Sequence, residues 1–255
     1  MGVIFVAAFL GILQGLTEFL PISSSGHLVI AQHFFPQIGQ QPLLLIVILH
    51  LGTLFALCVY FLKDIKDMLL SPRLALPILI ATLITAILAM PFKDLIEMTF
   101  NSPVIASFML IITGIMLFFA AKVKNNVDKN VNWKKAISIG IAQAAAVLPG
   151  ISRSGTTISM GIYLGLKGET AGRFSFLIAI PAIFGAGILS LKDITFIPSG
   201  LLFPYFIGFL SSFFSSILAI HWLLKLLITN QKALKYFAYY CWFIGVFFLF
   251  LFILI

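Results

Sequence analysis

The chain has 255 residues, of which 61% are hydrophobic, only 9% are charged and 27 are Phe. A soluble domain covers its surface with roughly a quarter charged residues, so this composition excludes one and points to a chain dissolved in lipid. The net charge of +8 does not indicate nucleic acid, because Lys and Arg sit in short clusters between apolar runs, where anionic headgroups would meet them.

Residues 2–20 form an apolar run that ends at Pro21 and the polar stretch Ser23-Ser24-Ser25-Gly26-His27, then resumes to about Phe35. The run has no basic leader and carries Gln14 and Glu18, which argues against a cleaved signal peptide. Three runs follow, over 41–62, 73–91 and 103–121, each of about 20 residues and long enough to cross a bilayer. Residues 136–148 then break at Pro149-Gly150 and Ser152-Arg153-Ser154-Gly155-Thr156-Thr157, and resume to about Leu166. Three more crossing runs, 172–191, 201–224 and 235–255, complete the chain. Each broken region reads as two half-helices around a polar elbow, whose open backbone must be buried in protein or line a wet cavity. Pro181 and Pro204 read as kinks, Cys58 and Cys241 as small hydrophobes, and the stretch from Phe243 to Phe252 as lipid-facing bulk.

The two broken regions are related by a shift of 129 positions, which places Gln14 on Gln143, Ile22 on Ile151, Ser23 on Ser152, Ser25 on Ser154 and Gly26 on Gly155. If each broken pair returns to the side it entered from, each half crosses three times, and an odd number of crossings inverts the second half. In that arrangement 13 Lys and Arg residues, from Lys63 to Lys235, fall on one face and only Lys93 and Lys192 on the other. The basic face is then cytoplasmic and both termini point outward. The expected fold is all-α: a polytopic membrane protein with six full transmembrane helices plus two re-entrant helix-loop-helix hairpins. It forms a single membrane domain over 1–255, with internal inverted repeats of about 1–125 and 130–255.

Ionisable residues within the apolar or elbow segments are few: Glu18, His27, His33, His50, Arg153 and His221. A charge at that depth costs about 2.5–3.5 kcal/mol on insertion scales, so each needs a reason. Glu18 and Arg153 occupy corresponding regions of the two halves and would meet near the midplane, either as a buried pair joining the halves or as part of a site. Each elbow leads into the start of a half-helix, where free N–H groups favour an anion. Ser23, Ser24, Ser25, Ser152, Ser154, Thr156 and Thr157 add hydroxyls, and Arg153 adds a planar fork suited to phosphate oxygens. Glu18 and His27 put acid–base equipment beside that cradle, with capping of a half-helix as the alternative for His27. His33 and His221 read as interfacial tips; His50, costlier to bury, is open between a packed position and one lining the cavity.

The stretch from Gln14 to Leu28 resembles the (E/Q)xxxE and serine-rich signature of the bacterial undecaprenyl-diphosphate phosphatase family, the bacitracin-resistance type. Pro149 to Thr157 resembles that family's second motif, PGxSRSxxT. The resemblance implies hydrolysis of undecaprenyl diphosphate to its monophosphate and inorganic phosphate in the bacterial cytoplasmic membrane, recycling the cell-wall lipid carrier. It puts Gln14 and Glu18 in the polar positions of the first motif, Ser24 and His27 in its serine-rich part, and Ser152, Arg153 and Thr157 in the second. Gln14 is the amide variant of the pattern and cannot ionise, so Glu18 must carry any acid–base or metal-binding part. The resemblance also implies a divalent cation, Mg2+ or Ca2+, bridging the diphosphate to Glu18. No dedicated metal cage is visible in the sequence, so the ion would arrive with the substrate.

The expected chemistry is in-line attack on the terminal phosphorus by Ser24, or by a water, with His27 or Glu18 as base and Arg153 stabilising the transition state. Because Glu18, Ser24 and His27 come with the outward elbow, access is expected from outside. The expected partners are the polyprenyl diphosphate and membrane lipids, with no nucleic acid; a homodimer stays open. The rival class is a secondary transporter or lipid flippase, which shares inverted repeats and broken helices but needs no nucleophile paired with a base. The enzymatic reading requires the Glu18 and Arg153 side chains to lie within about one helix diameter (~10 Å) of each other.

Overall fold

A computed structural model of the chain describes residues 2–34, 42–92, 98–100, 102–124, 128–192 and 199–254. Lys93, counted above on the sparsely charged face, lies outside them. The helices that carry the fold are α1 (Gly2–Phe19), α2 (Ser24–Phe34), α3 (Pro42–Tyr60), α4 (Leu62–Leu70), α5 (Pro72–Ala89) and α6 (Pro103–Ala120). They continue as α7 (Trp133–Ala145), α8 (Arg153–Tyr163), α9 (Gly168–Leu191), α10 (Leu202–Thr229) and α11 (Leu234–Leu254). Several starts follow from local chemistry. Ser102 caps α6 by accepting from Ile105 N, with Pro103 preset in the first turn, and Asn132 caps α7 by accepting from Lys135 N.

Among the described residues six helices are long and apolar enough to cross a membrane: α1, α5 with its short continuation to Phe92, α6, α9, α10 and α11 with the turn that precedes it. A seventh candidate is the pair α3 and α4, bent by 69° at Phe61. Two details depart from the sequence reading. The run expected to cross over 41–62 stops at Tyr60, because Lys63, Asp64, Lys66 and Asp67 give the next turns an amphipathic character suited to an interface. And α1, expected as the first arm of a re-entrant hairpin, is by itself long and apolar enough to cross a membrane. The outer surface is apolar as lipid requires: Phe5, Phe206, Phe243, Phe247 and Phe250 are all exposed.

Packing follows small residues. α1 lies along α10 so closely that a Cβ at Gly11 would sit 2.4 Å from Gly208 O, and one at Gly15 2.0 Å from Ser215 Oγ. α7 lies along α5 in the same manner, with Gly140 against Ala81 O, and α6 lies along α11. Such small-residue seams are how helices associate where no hydrophobic drive separates helix from lipid. Under the shift of 129, α2 (Ser24–Phe34) falls on α8 (Arg153–Tyr163) end for end, and Gly11 falls on Gly140. In the same register the α1–α10 and α5–α7 contacts exchange, while α6–α11 and α3–α9 map onto themselves.

A larger apolar core surrounds Phe19, Phe61 and Phe176, whose rings meet at 5.5 and 6.0 Å, and continues through Ile158, Ile162, Leu223 and Leu227. It backs the carboxyl end of α1 at Phe19 and α8 at Ile158 and Ile162, the two elements that carry Glu18 and Arg153. Gly15→Ala should therefore force α1 off α10 and cost about 1–3 kcal/mol, read as a lower melting temperature in detergent. Gly185→Ala, with open space around it inside α9, should not lower that temperature.

Candidate active site

Pro21 and the serines after it stop α1 and turn the chain into α2. Ser23 takes up a left-handed backbone, φ 69°, which is uncommon for a side chain with a Cβ. Its oxygens hold it there: Oγ accepts from Gly26 N at 3.3 Å, and the carbonyl accepts from His27 N at 3.2 Å and from His27 Nδ1 at 2.7 Å. The second elbow uses the same device at the matching positions. Ser152 Oγ accepts from Gly155 N at 3.0 Å, and the Ser152–Ser154 hydroxyl contact at 3.2 Å mirrors Ser23–Ser25 at 3.3 Å. The elbows touch where a Cβ on Gly26 would lie 2.9 Å from Gly150 Cα, and Ser154 Oγ donates to Leu20 O at 3.1 Å. Thr113 of α6 fixes the second elbow from behind, donating to Gly150 O and accepting from Ser152 N. Cys241 of α11 touches the first, at Pro21 O.

This framework brings Glu18 to Arg153. Glu18 Oε1 accepts from Arg153 Nη2 at 2.5 Å, and Oε2 accepts from Ser24 Oγ at 2.5 Å and from Gln14 Nε2 at 3.0 Å. The carboxylate is 8% exposed, so three donors replace the water it has lost. His50 of α3 faces the same oxygen, with Nε2 3.8 Å from Glu18 Oε2; its Nδ1 meets the Ile46 carbonyl at 2.8 Å and so carries the proton. Gln14, Glu18, Ser24 and Arg153 thus form one cluster, with His50 at its edge.

The remaining predicted groups are placed differently. His27 does not bond Ser24. Its Nδ1 donates to Ser23 O, and its Nε2 meets the Tyr240 hydroxyl at 2.9 Å beneath a stacked ring. Ser23 and Ser152 are spent on caps. Thr157 donates to Arg153 O and meets Ser175 Oγ at 2.6 Å. Among the described residues Arg153 Nη1, Gln14 Oε1 and Thr156 Oγ1 are buried without a hydrogen-bond partner, a cost that a bound oxyanion or water would relieve. Tyr240, Ser175 and Thr113 escaped the sequence reading, because each is one polar atom in an apolar run. His50 was singled out there for its depth.

No group of three or more His, Cys, Asp or Glu side chains converges among the described residues, and both Glu18 oxygens already accept from Arg153, Ser24 and Gln14.

Residues 7–247 match the family model described as bacitracin resistance protein BacA. The undecaprenyl-diphosphatase of Syntrophotalea carbinolica is 42% identical over 252 residues, covering 94% of this chain and 95% of its own. That of Carboxydothermus hydrogenoformans is 41% identical over 251 residues, covering 95% of each. The undecaprenyl-diphosphatase of Alkaliphilus metalliredigens is 39% identical over 265 residues, covering 94% of this chain and 96% of its own.

Glu18→Gln should leave the Arg153 guanidinium buried without a counter-charge and destabilise the protein by about 3–5 kcal/mol. Adding Arg153→Met should recover part of the lost melting temperature. Purely additive losses in the double variant would mean that the pair is not coupled.

Proposed function

The chain belongs to the BacA family, and we propose that it is an integral-membrane undecaprenyl-diphosphatase whose reacting groups are Ser24, Glu18 and Arg153. The observation that carries the assignment is the 2.5 Å bond from the Ser24 hydroxyl to a carboxylate held by a buried arginine. A hydroxyl that already donates to a buried carboxylate has its proton acceptor in place. Ser24 Oγ attacks the terminal phosphorus as its proton passes to Glu18 Oε2, the bridging P–O bond breaks, and undecaprenyl phosphate leaves with the bonding electrons. Water then cleaves the phosphoserine, releases inorganic phosphate and returns Ser24 to its hydroxyl form. Arg153, through the nitrogen that Glu18 does not hold, and the N-terminal turns of α2 and α8 receive the phosphoryl oxygens. His27 is a positioning residue in this scheme: it braces the Ser23 carbonyl and so the entry to α2. Gln14 orients the carboxylate.

The finer architecture belongs to the same proposal. Six full spans with two re-entrant hairpins in an inverted repeat are supported by the coincident ends of α2 and α8 and by the exchange of helix contacts under one register shift. Lys and Arg asymmetry supports a cytoplasmic basic face, outward termini and outward access in the cytoplasmic membrane. A divalent cation, Mg2+ or Ca2+, travels with the diphosphate oxygens rather than in a protein cage, and no step above passes through it.

Purified protein should release inorganic phosphate from undecaprenyl diphosphate in detergent, and Ser24→Ala should abolish the release. Rapid quench of the wild type should trap phosphoserine at Ser24; its absence alongside normal turnover would transfer the attack to water. Arg153→Lys should lose about 100-fold or more in kcat/KM, because a point charge cannot reproduce the fork. Near-normal turnover would remove Arg153 from the reacting set. A chelator should slow the wild type, and excess Mg2+ or Ca2+ should restore it.

A further inference from the structure

The two elbows differ in one respect that their matching serines do not explain. Ser23 holds φ 69°, whereas Ser152, its counterpart under the shift of 129, holds φ −72°, an ordinary value. The strained elbow carries a side-chain brace. Its Ser23 carbonyl accepts from His27 Nδ1 at 2.7 Å in addition to the backbone bond from His27 N, and His27 Nε2 lies 2.9 Å from the Tyr240 hydroxyl. The relaxed elbow has Thr156 at the position of His27, and among the described residues that threonine's hydroxyl has no hydrogen-bond partner.

A carbonyl can only accept, so Nδ1 of His27 carries the proton; Nε2 of the neutral ring is then a bare lone pair, and the Tyr240 hydroxyl is its donor. With the proton on Nε2 instead, two lone pairs would face each other at Ser23, and the strained backbone would lose one of the bonds that hold it. Which ring nitrogen carries the proton is set by the hydrogen bond that the other one makes. Here that bond comes from α11, a helix itself pinned to α6: a Cβ on Gly114 would lie 2.5 Å from Trp242 Nε1, and one on Gly245 2.8 Å from Ser107 O. Ser23 immediately precedes Ser24, so a change in its φ would swing the reacting hydroxyl away from Glu18.

We propose that Tyr240 is a positioning residue for the reaction: its hydroxyl locks His27 in the Nδ1–H tautomer, and that tautomer holds Ser23, and so Ser24, in the reacting geometry. The inference rests on the phosphatase reading above. The Tyr240 hydroxyl bonds His27 rather than Ser24, Glu18 or Arg153. Its ring is exposed and can lose one oxygen without opening a cavity, which separates this role from packing.

Tyr240→Phe should lower kcat on undecaprenyl diphosphate about tenfold or more and leave KM within about twofold of wild type, because a displaced nucleophile costs turnover rather than capture. Tyr239→Phe, one residue away with its ring against Phe118 and Trp242, should match the wild type. In a His27→Asn background the amide N–H can serve Ser23 O with no tautomer to choose, so Tyr240→Phe should add less than about twofold; an undiminished loss there would overturn the lock. Nitrogen NMR of isotope-labelled histidine reads the tautomer directly, with the His27 signals identified by their loss in His27→Asn. The wild type should show a protonated Nδ1 and a bare Nε2, and Tyr240→Phe a mixture of both tautomers. An Nε2–H or doubly protonated ring in the wild type, or an unaltered spectrum in Tyr240→Phe, would sink the assignment. A wild type that releases no phosphate overturns instead the phosphatase reading, while the spectra still decide whether Tyr240 sets the tautomer.

Discussion

A carboxylate and a guanidinium, each intolerable alone in an apolar interior, are bonded to each other at 2.5 Å across 135 positions of sequence. That constraint organises the rest of the molecule. Neither charge is stable at depth without the other, so the segments that carry them must meet whenever the chain is folded. The glycine seams let α1 and α7 approach α10 and α5 closely enough to place the two elbows at one level. α6 and α11 then brace the elbows from behind through Thr113 and Cys241. Polar groups that would be unaffordable in lipid are thereby sheltered by protein, which is the condition for irregular backbone at this depth.

The serine-rich runs serve two purposes that the sequence alone does not separate. Ser23 and Ser152 cap the helices that begin beside them, and Ser154 ties the second elbow to Leu20 O. Ser24 alone of the first run points at the carboxylate. The hydroxyl of Ser23 turns to Gly26 N, whereas that of Ser24 faces Glu18 of α1. A motif written in residue types cannot show which member of a serine triplet faces which way.

Much of the architecture was legible because it follows from hydropathy and register. The two breaks fall where hydropathy placed them, after Phe19 and Ala145, and the shift of 129 carries the ends of α2 onto those of α8 residue for residue. The meeting of Glu18 and Arg153 was legible as well, since two isolated charges in corresponding apolar segments have few other partners. The His27–Tyr240 contact was not, because it joins residues 213 apart and Tyr240 belongs to a run whose composition signals only lipid. The bend at Phe61 was hidden for a related reason: hydropathy averaged over a window continues smoothly into Leu62, while the charges that turn the helix aside come one residue later.

The same ion pair that holds the elbows together gives the proposed reaction its differential element. In the resting arrangement Glu18 holds part of the Arg153 charge, so the guanidinium cannot act fully on a bound diphosphate. When Ser24 transfers its proton, the carboxylate becomes neutral at the moment when negative charge gathers on the phosphoryl oxygens. The arginine's charge is then released toward the group that needs it, at a buried site where bulk water screens the effect less. Binding of the ground state gains little from this coupling and the transition state gains much, which is the condition for a higher turnover rather than mere affinity. A transporter built on the same inverted frame would require the opposite behaviour, an arginine available to the substrate before any proton moves. The bond from Ser24 to Glu18 therefore separates the two classes more sharply than the number or order of the spans.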